Sequence, residues 1–135
     1  MKKTLLSLVL ATGLLAEIVV IVNPSSGVDA LDAGQVKKIF LAKTKKFPNG
    51  EHATPIDQKA EAEIYTTFYK AVANKNATKM NKYWVKLTFT GKGEAPKKVN
   101  SDAEVIDLIK NNKNMIGYVD SGSVSDGVKV VLKVN

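Results

Sequence analysis

The chain has 135 residues and a formal net charge of +7, and every one of its 20 basic residues is lysine. The absence of cysteine excludes disulfides, thiolate chemistry and a cysteine-linked lipid anchor. Tight phosphate or carboxylate recognition often uses arginine's planar fork, and nucleic-acid readers group basic residues around aromatic platforms. Lysines spread along the chain instead describe a solvated coat that leans toward anionic partners and against nucleic acid.

Residues 1–16 read as a secretory signal, with Lys2 and Lys3 as the charged start, an apolar run from Leu5 to Leu15, and Ala16 as the small residue before a cut. The expected product is an exported, periplasmic domain over residues 17–135. No later segment approaches the ~20 apolar residues of a membrane span. Residues 17–22, EIVVIV, form a β-branched run without polar alternation, which suits a strand covered on both faces and a partly parallel sheet. Asp32 and Gln35 form a capping box for a helix reaching about Lys43, with Ala33, Val36, Ile39 and Phe40 as its apolar face. Pro48-Asn49-Gly50 is a turn, and residues 53–57 are a shorter strand.

A helix over residues 60–72 carries Ile64, Phe68 and Val72 inward, with Tyr65 and Tyr69 alongside. A second over residues 78–87 does the same with Met80, Trp84 and Leu87; such aromatic stripes read as core. Residues 90–99 read as a Gly/Lys/Pro loop. Ser101 and Glu104 then cap a helix with Val105, Ile106, Leu108 and Ile109 on its apolar face, and residues 115–119 and 128–134 are the last strands. The order β-α-β-α-α-α-β-β implies an α/β layered domain with a mixed sheet and flanking helices.

Three stretches carry a more specific signal: 31-LDAGQVKKIFLAKTKKFPNGEHATPID-57, 83-YWVKLTFTGKGEAPKKV-99 and 115-MIGYVDSG-122. In order and spacing they resemble the periplasmic solute-binding superfamily, and within it the phosphate-binding proteins of ABC transporters. The resemblance implies a non-enzymatic binding protein made of a single lobe of the type II periplasmic fold, with phosphate or another small oxyanion as ligand and no cofactor. It also implies a role beside a membrane transporter. Such proteins commonly place a Ser-Gly-Thr element after the second strand; this chain has 56-IDQKAEAEIY-65 there, without Ser or Thr hydroxyls and with Glu61 and Glu63.

In an open α/β sheet, ligands lie beyond the carboxyl ends of strands, at helix N-termini. Three loops qualify on that rule. Asn23, Ser25, Ser26 and Gly27 follow the first strand and offer hydroxyls and close backbone approach, although Pro-Ser-Ser-Gly also reads as a turn satisfying its own backbone. Gln58 and Lys59 follow the second strand, Lys59 being the one charge able to offset Glu61 and Glu63. Tyr118 and Ser121 flank the turn after IGYV, with Tyr118 facing either the core or a cleft. His52, the only histidine, lacks the companions of a metal site or a catalytic triad. Asp57, Glu61 and Glu63 form no acid/base set, because a polar helix start supplies no reason for a raised pKa. The alternative function is a ligand-free interaction module that docks on a membrane transporter, a porin or a second copy of itself.

Overall fold

The computed structural model describes residues 17–134, so the signal read in residues 1–16 lies outside them. Strand β1, Ile18–Val22, is buried along its whole length. Ile18, Val20 and Val22 enter one core with Phe40, Phe68, Tyr69 and Tyr118, while Val19 and Ile21 enter a second with Val105, Ile106 and Ile109. Both pleat faces are apolar because helices cover both. Fully burying one Val or Ile side chain contributes roughly 1.5–3 kcal/mol, so this strand anchors the molecule.

The five-stranded sheet has the order β3-β2-β4-β1-β5. Strand β2, Thr54–Gln58, runs parallel to β3, Lys97–Val99, and to β4, Met115–Asp120. The sheet is thus partly parallel, as the sequence suggests, yet β1 is antiparallel to both β4 and β5, Lys129–Val134. A strand covered on both faces shows the same residue pattern whichever way it runs. The reversal decides where the loop after β1 lies.

Helix α1, Ala33–Phe40, starts on the expected capping box, with Asp32 accepting from the Gln35 N–H and Gln35 returning a bond to the Asp32 N–H. It stops short of Lys43 because Ala42 adopts a left-handed conformation, φ 60°. Helix α2 is Glu63–Ala73 and ends at left-handed Asn74; α3 is Ala77–Phe89, capped by Asn76. Helix α4, Asp102–Asn111, is capped by Ser101, although Glu104 accepts from the Asn100 N–H rather than closing back on Ser101. Helices α1, α2 and α3 cover one face of the sheet and α4 the other.

The stretch read as a loop contains β3. It is a three-residue edge strand in which only Val99 is buried and both lysines face solvent, so it has no apolar period to detect. Lysines of this kind also discourage further edge pairing.

Candidate functional site

The carboxyl ends of β2, β3 and β4 share one pole of the sheet, and β1 ends at the other, since Ile18 pairs with Asp120 and Val22 with Ile116. The sequence-derived candidates therefore divide into two groups of four. Asn23, Ser25, Ser26 and Gly27 stand at the β1 end. The Asn23 side chain accepts from the Ser25 N–H at 2.8 Å and donates to the carbonyls of Ile109 and Lys110 at 2.8 and 3.1 Å. Ser26 Oγ is buried and accepts from the Val28 N–H at 3.2 Å, while Gly27 takes the left-handed conformation, φ 82°, that closes the turn. Only the Ser25 hydroxyl is exposed. These four residues make a turn that bolts β1 to the last turn of α4, whose carbonyls form the negative end of the helix dipole. In this turn the Asn23 amide and the Ser25 and Val28 N–H groups bond the chain itself, which leaves the exposed Ser25 hydroxyl as the group best placed to meet a solute.

Gln58, Lys59, Tyr118 and Ser121 stand at the opposite pole. Pleat alternation sends Ile56 and Gln58 toward α4 and Asp57 between them toward α2. Asp57 is fully buried; its Oδ2 accepts from the Tyr69 hydroxyl at 2.6 Å, and its Oδ1 from the Tyr118 hydroxyl and the Gln58 N–H. Burial pushes the Asp57 carboxyl up to about 6, against the opposing pull of the two phenols, the Gln58 N–H and the Lys98 charge. Burial and the Asp57 charge in turn push both tyrosines above their usual range. Tyr118 thus faces the core, where its ring stacks on Phe68 with centroids 3.8 Å apart.

Gln58 links this buried layer to the surface. Its Nε2 donates to Asp102 Oδ1 at 2.7 Å and to the Tyr118 carbonyl at 3.1 Å. Asp102 Oδ2 accepts from the Asp120 N–H at 3.0 Å and the Ser123 hydroxyl at 2.7 Å. The first residue of α4 therefore places its own carboxylate where the helix N-terminus would favour an external anion. Lys59 is exposed and Ser121 partly so.

Helix α2 differs from the other helices at this point. Asp32, Asn76 and Ser101 cap α1, α3 and α4, but the N-cap of α2 is Ala62, which has no side-chain atom to accept a hydrogen bond. The Tyr65 N–H bonds the Ala62 carbonyl at 3.1 Å, so in the first turn the Glu63 and Ile64 N–H groups are left without a partner among the described residues, in the segment that follows β2 and Lys59. His52 is exposed, and among the described residues no group of three His, Cys, Asp or Glu is placed to hold a metal ion.

Sequence reasoning missed the Asp57–Tyr69–Tyr118 cluster and its link to Asp102. A signal for it was present: an inward tyrosine needs a partner for its hydroxyl, and Asp57 is the acidic residue inside the neighbouring strand. The reading that no environment raises the Asp57 pKa is corrected, because Asp57 belongs to the strand interior rather than to the helix start.

No protein-family model matches the chain, and no curated protein matches its sequence. Solved structures do share its fold. A Clostridium perfringens protein assigned to the phosphate ABC transporter substrate-binding proteins, solved with bound phosphate, superposes with a TM-score of 0.70 at 18% identity, over 86% of this chain and 44% of that one. An ABC-type phosphate transport receptor from Vibrio cholerae gives 0.68 at 15%, over 86% and 45%. PstS from Borrelia burgdorferi gives 0.64 at 15%, over 86% and 46%. The chain spans less than half the length of each and has the fold of one lobe of a periplasmic-binding-protein-like receptor.

Proposed function

We propose that this chain is an exported solute-binding lobe that serves an ABC-type uptake system in the periplasm and takes phosphate or a similar small oxyanion at the carboxyl-end pole of its sheet. The observation that carries this reading is the uncapped N-terminus of α2 beside exposed Lys59, at the end of β2. The Glu63 and Ile64 N–H groups, the positive end of a helix dipole and a mobile ammonium are together suited to an oxyanion. The phosphate-linked receptors that share the fold support the same ligand class.

Asp57 and Asp102 stand behind this site and are filled by donors of the chain itself. The groups left to meet a solute are Lys59, the N–H groups at the start of α2 and the Ser121 hydroxyl. Glu61 and Glu63 are exposed beside them and disfavour a dianion, so the site is expected to be weak and to prefer the singly charged, protonated form of phosphate. The reading assigns the lobe no covalent chemistry.

The test is a thermal-shift and calorimetric titration with phosphate, sulfate and molybdate on the wild type, Lys59→Ala and Ser25→Ala/Ser26→Ala. A ligand at a hundredfold excess over its Kd stabilises by roughly 2.7 kcal/mol. The expected result is stabilisation of the wild type and of the double serine variant, with loss in Lys59→Ala. Loss in the double serine variant alone would move the site to the β1 loop. No heat and no shift with any oxyanion at millimolar concentrations would overturn the proposal.

A further inference from the structure

Helix α3 carries an outward face that the solute site does not use. Its inner side is fixed by Met80 and Trp84, both buried, so the helix is held rigidly on the core. On the outer side stand Val85, 60% exposed, and Phe89, 90% exposed, the two large hydrophobic side chains left in solvent among the described residues. They are four residues apart and therefore share one helix face. Lys82 lies three residues before Val85, and Lys86 three before Phe89, which puts both ammonium groups on or beside that face, with Lys79 one turn earlier. From Lys75 to Gly93 the sequence has no acidic residue.

We infer that this face of α3 binds the surface of an anionic phospholipid bilayer, with Phe89 entering the headgroup boundary and the lysines resting on the lipid phosphates. Charge decides between occupants. A second copy of the chain would bring the same lysines against these, which is repulsive. Area decides as well, since one Phe and one Val fall far short of the ~800 Å² that a stable protein partner covers on each side. A bilayer needs no such shape match: one inserted aromatic supplies apolar burial, and each nearby lysine adds about 1 kcal/mol of attraction to an anionic leaflet. Compact ammonium groups suit this diffuse attraction, where a fixed protein carboxylate would favour arginine. The attachment is reversible and interfacial; among the described residues no helix is long and apolar enough to cross a membrane.

The chain's lack of cysteine makes a site-specific test simple. Phe89→Cys in the full chain is labelled with an environment-sensitive fluorophore, and Asp107→Cys, exposed on the opposite layer, serves as the control. Both are mixed at low salt with vesicles of phosphatidylcholine alone or of phosphatidylcholine with phosphatidylglycerol. The expected result is a blue shift at position 89 only, only with phosphatidylglycerol, and reversed by salt. Lys82→Glu/Lys86→Glu in the same background should weaken partitioning at least about tenfold. Any binding through residues 1–16 is common to both labelled chains and cancels in the comparison. No shift at position 89, or an equal shift with uncharged vesicles, overturns the inference. A shift without vesicles that grows with protein concentration also overturns it and assigns the face to a second copy.

Discussion

Asp57 shows how a single buried carboxylate ties stability to pH. Its pKa is about 6 in the fold against 3.8 for the ordinary side chain. The unfolded chain therefore gives up this proton first as pH rises. Below about pH 4 the group is neutral in both states and costs nothing; through the interval up to about pH 6 stability is lost, and above it the loss is constant. A shift of this size corresponds to about 3 kcal/mol. Asp57→Asn keeps an acceptor for the phenols and cannot ionise, so between pH 3 and pH 7 the wild type should lose about 3 kcal/mol relative to this variant. Urea unfolding at several pH values measures it, and a difference independent of pH would show that the carboxyl titrates normally. Tyr69→Phe removes the donor on Oδ2 and should cost roughly 1–3 kcal/mol, more at pH 7 than at pH 4, because the ionised oxygen is the one that needs the bond.

The N-terminus of α2 and the packing of α4 on β4 are each governed by one small residue. Ala62 already has the extended backbone of an N-cap, φ −76° and ψ 140°, but no side chain to complete it. Ala62→Asp should stabilise the protein by roughly 0.5–2 kcal/mol in thermal unfolding and also diminish any phosphate-induced shift, since the new carboxylate takes the N–H groups that the solute would use. Stabilisation with an undiminished phosphate response would separate the helix start from the site. At Gly117, in the middle of β4, an added Cβ would lie 2.6 Å from Val105 Cγ1 on α4. Gly117→Ala should therefore cost roughly 1–3 kcal/mol by forcing the helix outward, measured by the denaturation midpoint. The motif IGYV in this strand thus has a packing reason for its glycine and a hydrogen-bonding reason for its tyrosine.

The molecule as a whole has two apolar cores that share β1, which leaves no seam along which it could come apart in stages. Fluorescence of Trp84, the only tryptophan, and far-ultraviolet circular dichroism should report the same cooperative transition; separated midpoints would mean that the α3 side melts independently. The sequence by itself determined what depends on local periodicity. The buried β1 run, the Asp32 capping box, the inward Phe68 and Trp84 stripes and the α/β layering were legible because pleat and helix periods write themselves into neighbouring residues. Residues 97–99 were not, since an edge strand with exposed lysines borrows its hydrogen bonds from β2. Strand direction was also hidden: β1 reads alike in either sense, so only the tertiary structure could send Asn23 to Gly27 to one pole and Gln58, Lys59 and Ser121 to the other. The same holds for the Asp57 cluster, assembled from positions 57, 69 and 118 on three different elements. Its bonds join groups far apart in the chain, and that distance is closed only when the sheet and its helices have packed.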